Sequence, residues 1–230
     1  MSDMADGRAL AGLLACSEAK RAIFIDFEGT AVDPATFLGA WCEGEWTVTL
    51  LERAFDSLVE TGQPKGTLRT SEPLDAFQSL RSRAELEQRR IVAWSSRELN
   101  EITGTHGMDA SEIEWWSEHL LNALPPAKKW AKRNGITVPE IKAPRGGRAN
   151  RWSLSGFRKA TDYGEVAKLF EPGSTASRIR SVRHQLQTRP DYRDLTPVAK
   201  RKWTNVLTHN FHDCAGLAHV VQTIACRETL

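Results

Sequence analysis

Missing from this 230-residue sequence are a CxxC pair, an apolar run long enough to span a bilayer, and any internal repeat. The cysteines are four and scattered: Cys16, Cys42, Cys214 and Cys226. Their spacing argues against a zinc ribbon and a dense disulfide framework, and suits small buried side chains in a reducing compartment. No stretch approaches the roughly 18 apolar residues of a membrane helix. The opening MSDMADGRALAGLLACSEAK is acidic before it is apolar and lacks a basic n-region, so it does not read as a secretory signal. A cytoplasmic protein with no membrane partner is the default expectation. What remains, 40% hydrophobic and 26% charged residues, is an ordinary globular composition in a chain long enough to bury a core.

A large net charge is also missing, the formal value being +2. The charge is nevertheless uneven. Lys128, Lys129, Lys132, Arg133, Lys142, Arg145, Arg148 and Arg151 share their stretch with one acid, Glu140. Arg178, Arg180, Arg183 and His184 make a second cluster, and Lys200, Arg201 and Lys202 a third. Basic stripes in a near-neutral chain suit an anionic partner, most commonly nucleic acid, although a charge run is more often a plain solvated face.

The apolar pattern predicts a short helix over Ala9 to Glu18, then strands over Ala22 to Phe27, Phe37 to Cys42 and Trp46 to Leu51, the last two joined by a tight turn at Glu43-Gly44-Glu45. A helix beginning near Glu72 carries Leu74, Phe77, Leu80 and Leu86. A short strand over Ile91 to Trp94 follows, with Ser95 or Ser96 placed to cap a helix through Leu99 and Ile102. Glu112 to Leu124 reads as a helix stopped by Pro125-Pro126, and the basic stretch from there to Arg151 as a mobile loop. Helices are expected over Leu154 to Thr161, Gly164 to Leu169, Ala176 to Gln187 and Pro197 to Thr223, the last open to a break near its middle. The sum is an α/β fold, a central mixed sheet flanked by helices with a helix-rich C-terminal half. It reads as an N-terminal extension over 1–20 and one domain over 21–230.

Two short segments carry candidate chemistry. In RAIFIDFEGT, Asp26 and Glu28 are two apart on a strand and project to one face. Adjacent ionised carboxylates repel and call for a compensating hard cation such as Mg²⁺ or Mn²⁺. An isolated DxE is usually an accident of a solvated strand face; here the strand is otherwise apolar and sits at the start of the fold. In NVLTHNFHDCAGLAHVV, His209 and Asp213 are four apart on one helical face, with Asn210 and Cys214 beside them and Leu207, Leu217 and Val221 free to face a core. An imidazole and a carboxylate so placed can bind a metal and activate water, or can simply be the polar half of an amphipathic helix.

The order of these blocks resembles the ribonuclease H-like DEDD 3′-5′ exonuclease superfamily. The nearest likeness is to predicted ribonuclease H-like nuclease domains associated with RecB-type proteins. IDFEGT supplies Asp26 and Glu28, IVAWSSRELNEI supplies Glu98 where the superfamily usually has Asp, and HNFHD supplies Asp213, with His209 where many members have Tyr. The likeness runs from about Ala22 to Val221. It implies phosphodiester hydrolysis by two Mg²⁺ or Mn²⁺ ions about 4 Å apart. Asp26, Glu28 and Asp213 would be ligands, Glu98 an assisting acid and His209 the residue that orients or deprotonates water. The implied substrate is single-stranded DNA or RNA. The basic stretch has no counterpart in the family; its own charge suits it to track a nucleic-acid backbone through Lys128, Lys129, Lys132, Arg133, Arg145, Arg148 and Arg151, with Trp130 and Trp152 near its ends either stacking a base or, as is commoner, packing in a core or lid. A rival from another class keeps the fold without the chemistry: a nucleic-acid-binding or scaffold subunit within a larger repair, defence or mobile-element assembly. The pair His212-Asp213 alone suggests an HD phosphohydrolase, but no Asp follows position 213 to complete one.

Overall fold

The computed structural model describes residues 14–30, 33–60, 66–141, 151–164 and 175–227. A six-stranded sheet in the order β4-β3-β2-β1-β5-β6 forms the centre. Its first half is a meander of β1 (Ile23–Glu28), β2 (Phe37–Cys42) and β3 (Glu45–Leu50), each antiparallel to the last. The β2–β3 turn places Glu43 and Gly44 at φ 51° and 91°, the pair of positive values that a two-residue hairpin needs. β4 (Thr67–Thr70) adds in parallel beside β3. The chain then returns to the other side of β1, where β5 (Ile91–Ala93) and β6 (Leu120–Asn122) run parallel to it. Only β2 runs against the rest.

Helices cover both faces. α1 (Cys16–Arg21) and α8 (Pro197–Arg227) lie on one side, and α2 (Pro73–Leu86), α3 (Arg97–Thr103) and α4 (Ala110–His119) on the other. The period-2 alternation of β1 sorts its side chains accordingly. Ile23, Ile25 and Phe27 share a core with Phe77 and Leu80 of α2 and Trp116 of α4. Phe24 packs against Leu217, Ala218 and Val221 of α8. Phe37, Trp46, Val48 and Leu50 meet Trp203, Val206 and Leu207 of α8 and Ile179 and Val182 of α7 (Thr175–Leu186). Asp26 and Glu28 therefore face α8. Ligands of open α/β sheets gather beyond the carboxyl ends of strands where the order reverses, and β1 is that place here.

Several expectations are overturned. The stretch after Pro125-Pro126 begins as a helix and not as a loop: α5 (Leu124–Arg133) carries Lys128, Lys129, Lys132 and Arg133, and irregular chain follows only from Asn134 to Glu140. Both prolines sit in its first turn, where no intrahelical N–H bond is lost, so they start a helix instead of ending one. The expected helix over Glu112 to Leu124 stops at His119, because Leu120–Asn122 is recruited as an edge strand by β5. β4 and a 3-10 segment over Arg53–Glu60 arise where a polar, glycine-marked stretch gives no sign of either. α8 runs unbroken for 31 residues through Gly216. α6 (Leu154–Ala160) and α7 fall where expected, while the helix expected at Gly164 to Leu169 and the loop residues Lys142, Arg145 and Arg148 lie outside the described residues.

The N-terminal helix is Cys16–Arg21, not Ala9 to Glu18, and residues 1–13 lie outside the described ones. Ala19 and Ala22 are buried in the α8-facing core, so this segment is part of the domain. Cys16 is disulfide-bonded to Cys226, 210 residues away, which corrects for these two the reading of the cysteines as small buried side chains suited to a reducing compartment. Sequence separation hid the pair; the α1–α8 packing brings their Cα atoms to 4.6 Å. No described helix is long and apolar enough to cross a membrane.

Candidate functional site

β1 carries the first two acids to the sheet's α8 face, and α8 supplies the rest. Asp26 lies opposite Gly39 in the β1–β2 register. Above that pair sits Asn210, fully buried. Its amide nitrogen donates to the Asp26 carbonyl at 3.1 Å and to Asp26 Oδ2 at 2.9 Å. Its Oδ1 accepts from Trp46 Nε1 at 3.1 Å and from Cys214 Sγ at 3.7 Å. A buried amide with every donor and acceptor engaged fixes the carboxylate beside it and the height of α8 over the sheet.

Glycine at position 39 makes this possible. A Cβ there would stand 1.7 Å from Asn210 Oδ1. Gly39→Ala is expected to destabilise the fold by about 2–3 kcal/mol, through overpacking and the unsatisfied partners left when Asn210 moves. Urea unfolding checks this, and an unchanged midpoint would refute the account of Asn210.

One turn along α8, His209 and Asp213 converge with Glu28. His209 Nε2 is 3.2 Å from Asp213 Oδ2 and 3.8 Å from Glu28 Oε1. One donor atom from each of Glu28, His209 and Asp213 lies within 4.8 Å of the others, which is metal-ligand spacing. The i,i+4 reading of His209 and Asp213 holds, as does the core-facing role of Leu207, Leu217 and Val221. Asp26 is outside that trio, yet near enough for its charge to act on Glu28. Burial, and then the charge of Asp213 and Glu98, hold the Asp26 carboxyl well above its ordinary range. Burial, and then Asp26 and Asp213, do the same to Glu28. Both shifts mark negative charge that the protein alone leaves undercompensated.

Glu98 belongs to a different local structure. It is buried near the start of α3, and its Oε2 accepts from Ser95 N at 3.2 Å and Ser95 Oγ at 2.8 Å. Burial raises its carboxyl, and its charge is felt at Asp26, but it is not among the three converging groups. Its extra methylene lets it fold back onto its own helix start, the ordinary fate of an acid there.

Arg158 was missed by sequence reasoning. Only 6% exposed on α6, it donates from Nη1 to Asp213 Oδ1 at 2.6 Å and to the His212 carbonyl at 2.9 Å. It crosses α8 at Gly216, where a Cβ would lie 2.2 Å from Arg158 Cδ. That close approach explains the glycine within a long helix. No sequence signal singles out one Arg in a short helix; a small residue facing it on α8 is legible only once the two are apposed. The ion pair takes one oxygen of Asp213 and leaves Oδ2 turned toward His209.

The basic residues sort unequally. Arg183 is bound to Asp33 Oδ2 at 2.7 Å and Glu52 Oε2 at 2.8 Å, so it joins α7 to the meander instead of presenting charge. Lys200 Nζ donates to the Arg193 carbonyl and Lys202 Nζ to Ser181 Oγ. Arg183, Lys200 and Lys202 thus fasten the chain to itself, whereas Arg180 and Arg201 of the same clusters are exposed. Trp130 is 3% exposed in the core and offers no stacking face, whereas Trp152 is half-buried. Searches of protein-family models, curated proteins and solved structures find no match to this chain.

Proposed function

We propose that this chain is a metal-dependent phosphodiesterase acting on nucleic acid, with its centre at Glu28, His209 and Asp213 and with Asp26 alongside. The observation that carries the reading is the convergence of those three ligand atoms within 4.8 Å, beside carboxyls that burial and mutual repulsion hold above their ordinary range. The donor set fits a hard divalent cation; the imidazole favours Mn²⁺ over Mg²⁺, which prefers oxygen ligands and retained water. When bound, such an ion supplies Lewis-acid activation of water and of the phosphoryl oxygen.

The chain's own residues do the rest. Asn210 holds Asp26 in one orientation, and Arg158 fixes Asp213 so that Oδ2 faces the centre. His209 carries either a bare Nε2 that ligates or a proton that Nε2 donates to Asp213; its distance from Glu28 keeps both carboxylates within its reach. Glu98 and Asp26 are the remaining acids for a second ion, but Ser95 and Asn210 already engage them, so the proposal centres on one primary ion. The ribonuclease H-like assignment and the 3′-5′ exonuclease action on single strands rest on the resemblance in motif order, which the meander start and the flanked mixed sheet support.

A second reading, a non-catalytic nucleic-acid-binding subunit, is favoured by one observation: the Arg158 guanidinium already partners Asp213, where a second metal contact would otherwise fall. One assay separates the two. End-labelled single-stranded DNA and RNA are incubated with Mn²⁺ or EDTA, with Asp26→Asn in parallel. Cleavage that requires Mn²⁺ and is lost in the variant is the expected result. Binding without cleavage in any metal would sink the enzyme reading. A circular single strand distinguishes internal from terminal attack, since it has no ends.

A further inference from the structure

We propose that α5 and Trp152 together form a platform for single-stranded nucleic acid, on which Trp152 stacks an unpaired base and Lys128, Lys132 and Arg151 take the phosphates. Three cationic heads converge on this one ring. Arg151 Cζ is 5.2 Å from its centroid, Lys128 Nζ 5.8 Å and Lys132 Nζ 6.0 Å. Among the described residues, no carboxylate pairs with any of the three.

Three gathered like charges repel, and the ring's π-face offsets only part of that cost. Elsewhere on this chain Arg183, Lys200 and Lys202 are tied to its own oxygen atoms. Here the cations surround a half-buried indole backed by Phe157, whose ring centroid is 6.0 Å away. An unpaired strand offers both complements at once, phosphates for the cations and a base for the ring. A duplex offers phosphates but keeps its bases stacked, and an acidic peptide offers charge but no flat ring to stack.

The platform is also connected to the centre. Trp152 directly precedes Ser153, the N-cap of α6, and that helix carries Arg158, the residue that grips Asp213. From Leu154 to Arg158 the helix rises only about 6 Å. A strand seated on Trp152 needs only a few nucleotides to reach the acids. The proposal takes its partner class from the proposed function, and the experiment below lets either fail alone.

Fluorescence anisotropy of labelled oligothymidylate and oligouridylate is followed with the full chain in EDTA, so that no cleavage intervenes. Trp152→Leu keeps apolar volume but removes the stacking face, and is expected to weaken binding on the order of 10-fold or more. Trp152→Phe should recover most of that affinity. The triple variant Lys128→Gln, Lys132→Gln, Arg151→Gln lies on the surface, and should flatten the dependence of log K on log salt by about 2, roughly 0.7 for each phosphate that is no longer neutralised. A duplex of the same length should bind Trp152→Leu and the parent chain alike. Equal single-strand affinity for Trp152→Leu and parent, or an unchanged salt slope in the triple variant, overturns the platform. Trp152-dependent binding without cleavage in any metal keeps the platform and removes the enzyme. Mn²⁺-dependent cleavage with no dependence of binding on Trp152 does the reverse. Comparing the two oligomers tells whether the strand is DNA or RNA.

Discussion

Reducing the Cys16–Cys226 bond is expected to lower the unfolding free energy by up to about 5 kcal/mol, a large fraction of the stability of a typical domain. The bond closes a loop across a sequence separation of 210 residues, so it removes many extended conformations from the unfolded ensemble. The figure is the chain-entropy limit, and residual unfolded structure lowers it. In the folded state the bond ties α1 to the end of α8, where Ala19 and Ala22 already pack against Ala218, Val221 and Ala225. Gln222 adds a bond from its amide to the Ala19 carbonyl at 3.3 Å. Because those contacts remain, the reduced chain should keep the same fold and unfold at a lower urea midpoint. The measurement is urea unfolding with and without reductant, with Cys16→Ser as control. A midpoint indifferent to reductant in the parent chain would show that the bond adds nothing; a reductant effect that persists in Cys16→Ser would place it elsewhere. The thiols of Cys42 and Cys214 are buried and separate, so they give the reductant little else to act upon.

Asp26→Asn is expected to act in two opposite directions, abolishing cleavage while stabilising the metal-free protein. The folded-state carboxyls of Asp26 and Glu28 are raised, chiefly by burial. A raised acid binds more protons folded than unfolded, so its contribution to stability declines as pH climbs from about 4, the unfolded value, through the folded one. At neutral pH each ionised carboxylate is therefore a cost in the absence of a cation. The amide at position 26 keeps an oxygen to accept from Asn210 and carries no charge to be desolvated. We expect a gain of about 1–3 kcal/mol in EDTA near neutral pH, shrinking toward acid. Adding Mn²⁺ should stabilise the parent more than the variant and so narrow the gap. Cleavage should fall by at least about 100-fold, since even residues that only support a metal ligand cost 10- to 100-fold. Equal stability of the two proteins in EDTA across pH would show that Asp26 is not electrostatically stressed. Undiminished Mn²⁺-dependent cleavage would remove it from the centre.

The candidate site is legible in the sequence to different depths. Asp26 and Glu28 can be read because a strand's alternation is local, and both do share the α8 face. His209 and Asp213 can be read because helical spacing is local too. Motif order assigns Glu98 to the site; in the structure it accepts from Ser95 and acts on Asp26 through its charge, outside the three converging groups. Arg158 leaves no trace, since the group it answers, Asp213, lies 55 residues further along. Asn210 stands on the expected helical face, but its work depends on Gly39 and Trp46, both supplied by the meander. The basic stretch misleads at Pro125-Pro126, because a proline pair is compatible with either end of a helix boundary. The choice is settled by α5 burying Ala127, Trp130 and Ala131.

By itself the sequence determined the period of each main element, and hence which acids, imidazole and apolar residues would share a face. Those are short-range consequences of backbone geometry, two residues per strand repeat and about 3.6 per helical turn. The tertiary structure alone decided the rest. It chose which end of the chain would meet Cys16, which small residues would admit Asn210 and Arg158, and which cations would be tied down or left around Trp152. Each of those outcomes depends on packing between segments far apart in sequence, where close contact and desolvation, not local periodicity, set the energy.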